Sequence, residues 1–418
     1  MRILILDSGN TSAYHVMRTL ARAGHEVHLS SPEDALWSRS KYCARTHRSP
    51  AANLRPDYEN FLLDVVRAVK FDLLIACGDQ EAEIIWAHAD EIEHHVPCLL
   101  PDRALAPIAF SKNAAYRHAA SIGVPIPRTE FPRTAADLGT VHARLGSPAI
   151  VKGERGSAGS RVRRVANFDE LEHAYHEISA LDAAEGGTPS VQEVVEGPGF
   201  VVHALFDTGR ALAICSHRKE REYPVGGGVS ASATTVHERE LDAAALRFLE
   251  SLHWHGIAKL DFMFDRREHR FKFIEMDPRV SASIDIARAA GSDQLLMMCD
   301  LAGGRHMEPR LDYAADVHYR WLFPRDVLSV LARPRQMLGF ARDFVGRRRH
   351  FDLELLDDPR MGYQAVRQLC AYVRRDIRRR RARAVAAPHA APLRDVVATR
   401  HSHGRSSNST DPRPHSRR

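Results

Sequence analysis

Residues 271–283 read FKFIEMDPRVSAS. Phe271, Phe273 and Met276 alternate with Lys272 and Ile274, the pattern of a strand in a β-rich core. The strand ends on Glu275 and Asp277, two residues apart and so on one face. Two carboxylates on one face repel unless a positive charge sits between them. A hard divalent cation is the natural guest, since Mg2+ favours carboxylates together with nucleotide phosphates. Arg279 follows two residues on, where a forked cation could hold a phosphate oxygen. The plain alternative is an exposed strand end with solvated charges.

A third carboxylate weighs against that alternative. IAKLDFMFD (257–265) is an apolar strand interrupted by Asp261, DRREHR (265–270) is a polar turn, and FKFIEMD runs back. This predicts a β-hairpin that brings Asp261 toward Glu275 and Asp277. An aspartate inside an apolar strand costs free energy unless paired or metal-bound. Upstream, SPAIVKGERGSAGSRVRRV (147–165) predicts a strand that delivers Lys152 to a loop of small residues, Gly153, Gly156, Ser157, Gly159 and Ser160. Small residues let backbone N–H groups approach phosphates. The loop has neither the G-K-[ST] of a Walker A motif nor a G-x-G-x-x-G fingerprint. Lysine is scarce, 7 against 52 arginines, so a lysine at a buried strand end stands out. Another of the seven, Lys112, follows Ser111, a plausible N-cap of a helix ended by Gly123 and Pro125.

Together these pieces resemble the ATP-grasp superfamily over about residues 1–305, in particular its carboxylate–amine ligase branch. They run in the family's order: helix-start Lys112, Gly123 to Pro127, Lys152 with the Gly/Ser flap, Gln192 to Gly197, and the D…E-x-D-P-R hairpin. Asp277 stands where the family usually has Asn, keeping an oxygen ligand and adding a charge. The resemblance implies an α/β (α+β) fold like the ATP-binding domains of carbamoyl-phosphate synthase large chains. It implies that Lys112, Lys152, Gly156, Ser157, Gly159 and Ser160 bind ATP phosphates. It also implies a hinge in which the Glu193 side chain accepts from the adenine N6 amino group and Val195 offers its backbone. Asp261, Glu275 and Asp277 would hold Mg2+, with Mn2+ an option, and Arg279 would stabilise the transferred phosphoryl group. Pro198, Gly199 and Phe200 supply no acid where many members bind ribose.

The first ~105 residues alternate strand, helix and strand (RILILD, TSAYHVMRTLARAGH, EVHLS, then FDLLIACGDQ), which predicts a Rossmann-like α/β domain with a parallel sheet. The loop DSGNTSA is poor for a dinucleotide, so an NAD function is rejected. The expected organisation is an α/β domain over 1–105, an ATP-grasp domain over 106–305 with a flap subdomain over about 128–190, a helical region over 306–385 and a disordered basic tail over 386–418. From Arg374 onward there are 13 Arg against 3 Asp, a net +10, so the rest of the chain carries −4. A tail rich in Arg, Pro, Ser, His and Ala cannot bury a core. It could touch RNA or anionic lipid only weakly, for it lacks interleaved aromatics. No apolar run approaches the ~20 residues of a membrane span. Six scattered cysteines without C-x-x-C suit a reduced cytoplasmic protein and make no zinc site. A homodimer is left open.

SHRKEREYPVGGGVSAS (216–232) sets Arg218, Lys219 and Arg221 beside three glycines. It reads either as a solvated hairpin tip or as a substrate loop, with Arg218 and Arg221 meeting a carboxylate or phosphoryl group. The expected reaction is attack of a small-molecule carboxylate on the ATP γ-phosphate, then displacement of phosphate from the acyl phosphate by an amine. Phosphorylation of carbamate or formate is the alternative within the superfamily. A binding module without turnover and a nucleic-acid binder are alternatives outside it.

Overall fold

The computed structural model describes residues 1–374 apart from 8, 10, 33–35, 157–160, 184–185, 346–348, 353–356, 364–365, 368–369 and 371–373. The first sheet is built from β1 (Arg2–Leu6), β2 (Glu26–Ser31), β3 (Arg45–Arg48) and β4 (Leu73–Ala76), all parallel, in the order β3-β2-β1-β4. Every side chain from Ile3 to Leu6 is buried. Ile3 and Ile5 belong to one apolar core and Leu4 and Leu6 to another. Alternation across the pleat thus feeds both faces, as a parallel sheet clad by helices requires. The sequence reading anticipated β1, β2 and β4; the short, polar β3 was not foreseen.

A small sheet, β5 (Thr129–Glu130), β6 (Ala149–Lys152), β7 (Val162–Val165) and β8 (Ser190–Glu193), runs in the order β5-β8-β6-β7 and is antiparallel throughout. It packs on the helix Phe168–Ala183 through Leu171, Ala174, Tyr175 and Ile178. The third sheet joins β9 (Gly199–Asp207), β10 (Arg210–Tyr223), β11 (Val229–Thr235), β12 (Gly256–Asp265), β13 (Arg270–Asp277), β14 (His318–Arg320) and β15 (Arg349–Phe351). Its order is β13-β12-β9-β10-β11-β14-β15. The apolar core that receives Ile3 and Ile5 continues through Trp86, Tyr116 and Phe248 to Leu205, Leu260 and Phe273 of this sheet, so the hairpin β12–β13 stands on the same foundation as β1.

Two strands of this sheet come from the region expected to be helical. Residues 306–374 do form helices at Val327–Ala332 and Met337–Arg342, but β14 pairs with β11 and β15 with β14. Three-residue strands rich in His and Arg carry no period that marks them in the sequence. Arg320 at the end of β14 is fully buried. It donates to Asp326 Oδ2 at 2.6 Å, and its guanidinium lies 4.2 and 4.3 Å from the ring centres of Phe340 and Phe344. The tail assigned to 386–418 lies outside the described residues.

Candidate active site

The hairpin forms as read, with one refinement. Asp261 is the register partner of Glu275, and Lys259 that of Asp277. A register shift follows Asp261, because Phe262 pairs with Phe273 and leaves Ile274 as the extra residue. A bulge of this kind frees a backbone carbonyl and re-aims neighbouring side chains. The freed Ile274 carbonyl accepts from Tyr116 Oη at 2.6 Å, and Tyr116 Oη in turn accepts from Lys152 Nζ at 3.2 Å. The bulge on β13, the helix Lys112–Ser121 and the end of β6 are thereby joined around one buried lysine. Ser111 caps that helix, its hydroxyl accepting from Ala114 N at 3.1 Å, and so presents Lys112 on the first turn. Lys112 Nζ donates to the Gly156 carbonyl and lies 3.9 Å from Glu275 Oε2.

The charge expected between the carboxylates is present, but it belongs to the protein. Lys259 Nζ stands 2.5 Å from Asp261 Oδ2 and 2.6 Å from Asp277 Oδ2. Lys219, from β10, reaches Asp261 Oδ1 at 3.0 Å. Burial works against the Lys259 charge, yet Asp261, Asp277 and Glu275 outweigh it and hold the ammonium protonated. Burial likewise opposes ionisation of Asp261, but Lys219 and Lys259 pull its carboxyl well below the usual carboxylate range. Asp277 is lowered in the same way by Lys259 and then Arg279. Lys152 is the opposite case: burial dominates, and its ammonium falls to about 8 despite attraction from Glu275 and Asp261.

These contacts decide which oxygens suit a divalent cation. Both Asp261 oxygens face lysines, and neither forms a hydrogen bond of good geometry although both are buried. Asp277 takes its two ion pairs on Oδ2. Among the described residues the ion pair that Glu275 makes is with the distant Lys112, and 30% of its side chain is exposed. Glu275 and Asp277 therefore fit a hard cation as they stand, whereas Asp261 would first have to release its lysines. A second acidic group, Glu193, Asp265 and Glu268, is filled by Lys272 Nζ at 2.7–2.9 Å from each.

Arg279 is held at 2.5 Å by Asp79, which opens the helix after β4, and lies 3.5 Å from Asp277. The hairpin thus faces the crevice outside the carboxyl ends of the first sheet, where open α/β sheets bind ligands. Glu81 lies there, its carboxyl raised by burial, and further by Asp7 and Asp79, to about 7.

Three expectations are corrected by this arrangement. Glu193 turns its carboxylate to protein cations rather than leaving it open to an adenine: Lys272 takes Oε1 at 2.7 Å and Arg128 takes Oε2 at 2.8 Å. The Val195 backbone, by contrast, makes no hydrogen bond with the described residues. Just beyond it Gly197 packs so tightly that a Cβ there would lie 1.8 Å from the Phe264 carbonyl oxygen. Arg221 is turned away from the hairpin by a bulge in β10 and is buried against Asp326 and Asp343. Arg218 projects to the surface and pairs with Glu220 at 2.8 Å. Of that basic run only Lys219 reaches the carboxylates. The glycines beside it close on their own turn, with Gly226 and Gly227 donating to Glu222 Oε1 at 2.8 and 3.0 Å. Gly156 is described, with φ +99°, whereas Ser157, Gly159 and Ser160 lie outside the described residues. Lys259 is the residue that sequence reasoning missed. Its signal was the K-x-D spacing, which sets Lys259 and Asp261 on one face of β12.

Residues 111–309 match the family described as the carbamoyl-phosphate synthase L chain, ATP binding domain. Among curated relatives, the N-terminal section of the carbamoyl phosphate synthase large chain of Methanopyrus kandleri is 24% identical over 228 residues, 49% of this chain and 40% of the relative. Acetyl-CoA carboxylase 1 of Oryza sativa subsp. japonica is 24% identical over 142 residues, 32% of this chain and 6% of the relative. The chain spans well under two thirds of these proteins. The solved structures it resembles include a biotin carboxylase from Campylobacter jejuni, with TM-score 0.63, 19% identity, and 76% and 74% of the two chains covered. An L-amino acid ligase from Bacillus licheniformis superposes with TM-score 0.57 at 16% identity, covering 72% and 74%. These likenesses establish the fold.

Proposed function

The chain carries an ATP-grasp fold, and on that premise we propose that it is an ATP-dependent ligase, releasing ADP and phosphate, that activates a small-molecule carboxylate for attack by an amine. The observation that carries the reading is the convergence of Lys112, Lys152, Glu275, Asp277 and Arg279 at the end of β13, from three separate stretches of chain. Phosphoryl transfer asks a protein for positioning and charge neutralisation more than for a nucleophile, and these residues supply both. Glu275 and Asp277 would hold Mg2+ or Mn2+, which neutralises phosphate charge when bound. Lys112 and Lys152 meet the nucleotide phosphates, and the Val195 backbone reads the adenine edge. Arg279, fixed by Asp79, faces the oxygens of the transferring group. The substrate carboxylate attacks the γ-phosphorus, the bond to the β-phosphate oxygen breaks, and ADP leaves with that electron pair. The amine then adds to the acyl carbon and inorganic phosphate departs. Lys219 and Lys259 stand on the sheet face beside this site and suit an anionic substrate.

The decisive experiment is a phosphate-release screen of acid and amine pairs with ATP and Mg2+, followed by mass analysis of the product. An acid-dependent burst that becomes an amide product supports the ligase. Release with bicarbonate alone favours a carboxylating reaction, the second reading, to which the carboxylases among the similar proteins lend weight. ATP binding without turnover for any acid would sink both.

A further inference from the structure

Residues 331–345, LARPRQMLGFARDFV, stand out on the described surface. They hold five of its eleven exposed large apolar side chains: Leu331, Met337, Leu338, Phe344 and Val345. Leu338 is 81% and Val345 75% exposed, more than packing leftovers on a soluble surface require. Arg333, Arg335 and Arg342 are interleaved with them, all exposed and none with its side chain in an ion pair or hydrogen bond within the described residues. The single acid of the segment, Asp343, is consumed by Arg221 at 2.7 Å and Arg349 at 3.2 Å. The segment is nevertheless rigidly based, because Arg320 is clamped under Phe340 and Phe344.

Projecting apolar groups among unpaired arginines, with no free acid, are complementary to one chemistry above others: an apolar layer beneath an anionic surface. A water-facing surface would leave the apolar groups exposed, and an ordinary protein contact would have to supply an acid for each arginine. A cavity of about 560 Å3 opens beside the segment, lined by Arg221, Arg335 and Arg349 and by the acids Glu220, Asp316 and Asp343, so its charges are balanced and the attraction rests on the three exposed arginines.

We propose that residues 331–345 dock the protein on an anionic lipid surface, with Leu338, Val345 and Met337 entering the headgroup boundary and Arg333, Arg335 and Arg342 meeting lipid phosphates. The 13 arginines after residue 373 add long-range attraction but no apolar anchor.

The test uses the full chain and vesicles of phosphatidylcholine with and without phosphatidylglycerol at about a third of the lipid. The protein should sediment with the anionic vesicles, and the Leu338→Glu/Val345→Glu double variant should lose roughly tenfold or more in partitioning. Both positions are exposed, so the variant should keep its melting temperature and its ATP-dependent phosphate release. Absence of vesicle binding by the wild type overturns the proposal. Equal binding by the variant overturns it in favour of the basic tail alone. A dimer in light scattering that the variant converts to monomer, without lipid binding, assigns the face to a second copy of the chain instead.

Discussion

Arg279 Nε donates to Asp79 Oδ1 across 2.5 Å, tying the end of β13 to a helix start 200 residues earlier in the chain. This bond fixes the distance between the β12–β13 hairpin and the crevice of the first sheet. Asp79 is about a third open to water, so solvent screening limits the pair's strength. A double-mutant cycle with Arg279→Ala and Asp79→Ala should give a coupling of about 1 kcal/mol in urea unfolding. Turnover should suffer more than stability, because Asp79→Ala releases the guanidinium proposed to face the phosphoryl group. Turnover unchanged in Asp79→Ala would show that Arg279 needs no such fixing.

Glu275 and Asp277 should separate in their effects. Glu275→Gln removes the most exposed of the three hairpin carboxylates, so turnover should fall by about 10^2–10^3 with melting nearly unchanged. Asp277→Asn keeps a ligand oxygen, and the loss of turnover should be closer to tenfold. It also strips Lys259 of one of its two counter-ions in a buried site, so stability should drop by about 1–3 kcal/mol. Parallel Mg2+ titrations and urea unfolding test the ordering. Equal loss of turnover in both variants at saturating Mg2+ would give Asp277 a role beyond ligation.

Lys152 should bind a proton together with ATP. Its folded ammonium titrates at about 8, because burial outweighs nearby acids, and phosphate oxygens would restore the charge. Calorimetry in buffers of different ionisation enthalpy should show uptake growing as pH rises from 7 to 9. Affinity should weaken in the same direction. Lys152→Met should abolish the uptake and lower affinity by roughly tenfold or more. ATP affinity unchanged in that variant would remove Lys152 from the phosphate site.

Glu81 carries a second pH signature, in stability rather than in affinity. Its carboxyl is raised to about 7 in the folded protein, so between its unfolded value and 7 the folded state holds the extra proton. Stability contributed by the neutral acid is present at pH 4–5 and lost as pH climbs through that window. Glu81→Gln should therefore match wild type near pH 5 and exceed it at pH 8, by on the order of 2 kcal/mol. Identical melting curves for the two proteins at both pH values would contradict the assignment.

Truncation after about residue 385 should leave ATP-dependent phosphate release intact, since nothing in that composition can form a core. A folded but inactive truncation would reveal a working element in the tail.

The hairpin, its three acids and Lys152 were readable because each breaks a local pattern: a carboxylate or a rare lysine where an apolar strand should continue. What escaped was decided by partners distant in the chain. Lys259 looks like the polar half of an alternating strand until Asp277 arrives from β13. Glu193 looks like a free hinge acid until Lys272 and Arg128 close on it. Arg221 and Lys219 are equivalent in spacing, and a bulge in β10 sends one to Asp326 and the other to Asp261. β14 and β15 are too short to show a period, and only their neighbours make them strands.

The order of strands in the large sheet has a consequence for synthesis on the ribosome. The β12–β13 hairpin is complete at residue 277, yet the free edge of β11 waits for β14 at residues 318–320, which is itself bordered by residues 349–351. For some seventy residues of translation the nascent chain holds a finished site beside an unprotected sheet edge, the kind of surface that recruits other strands. Chaperone demand during that interval, rather than any weakness of the finished protein, would then set how much of it a cell can make.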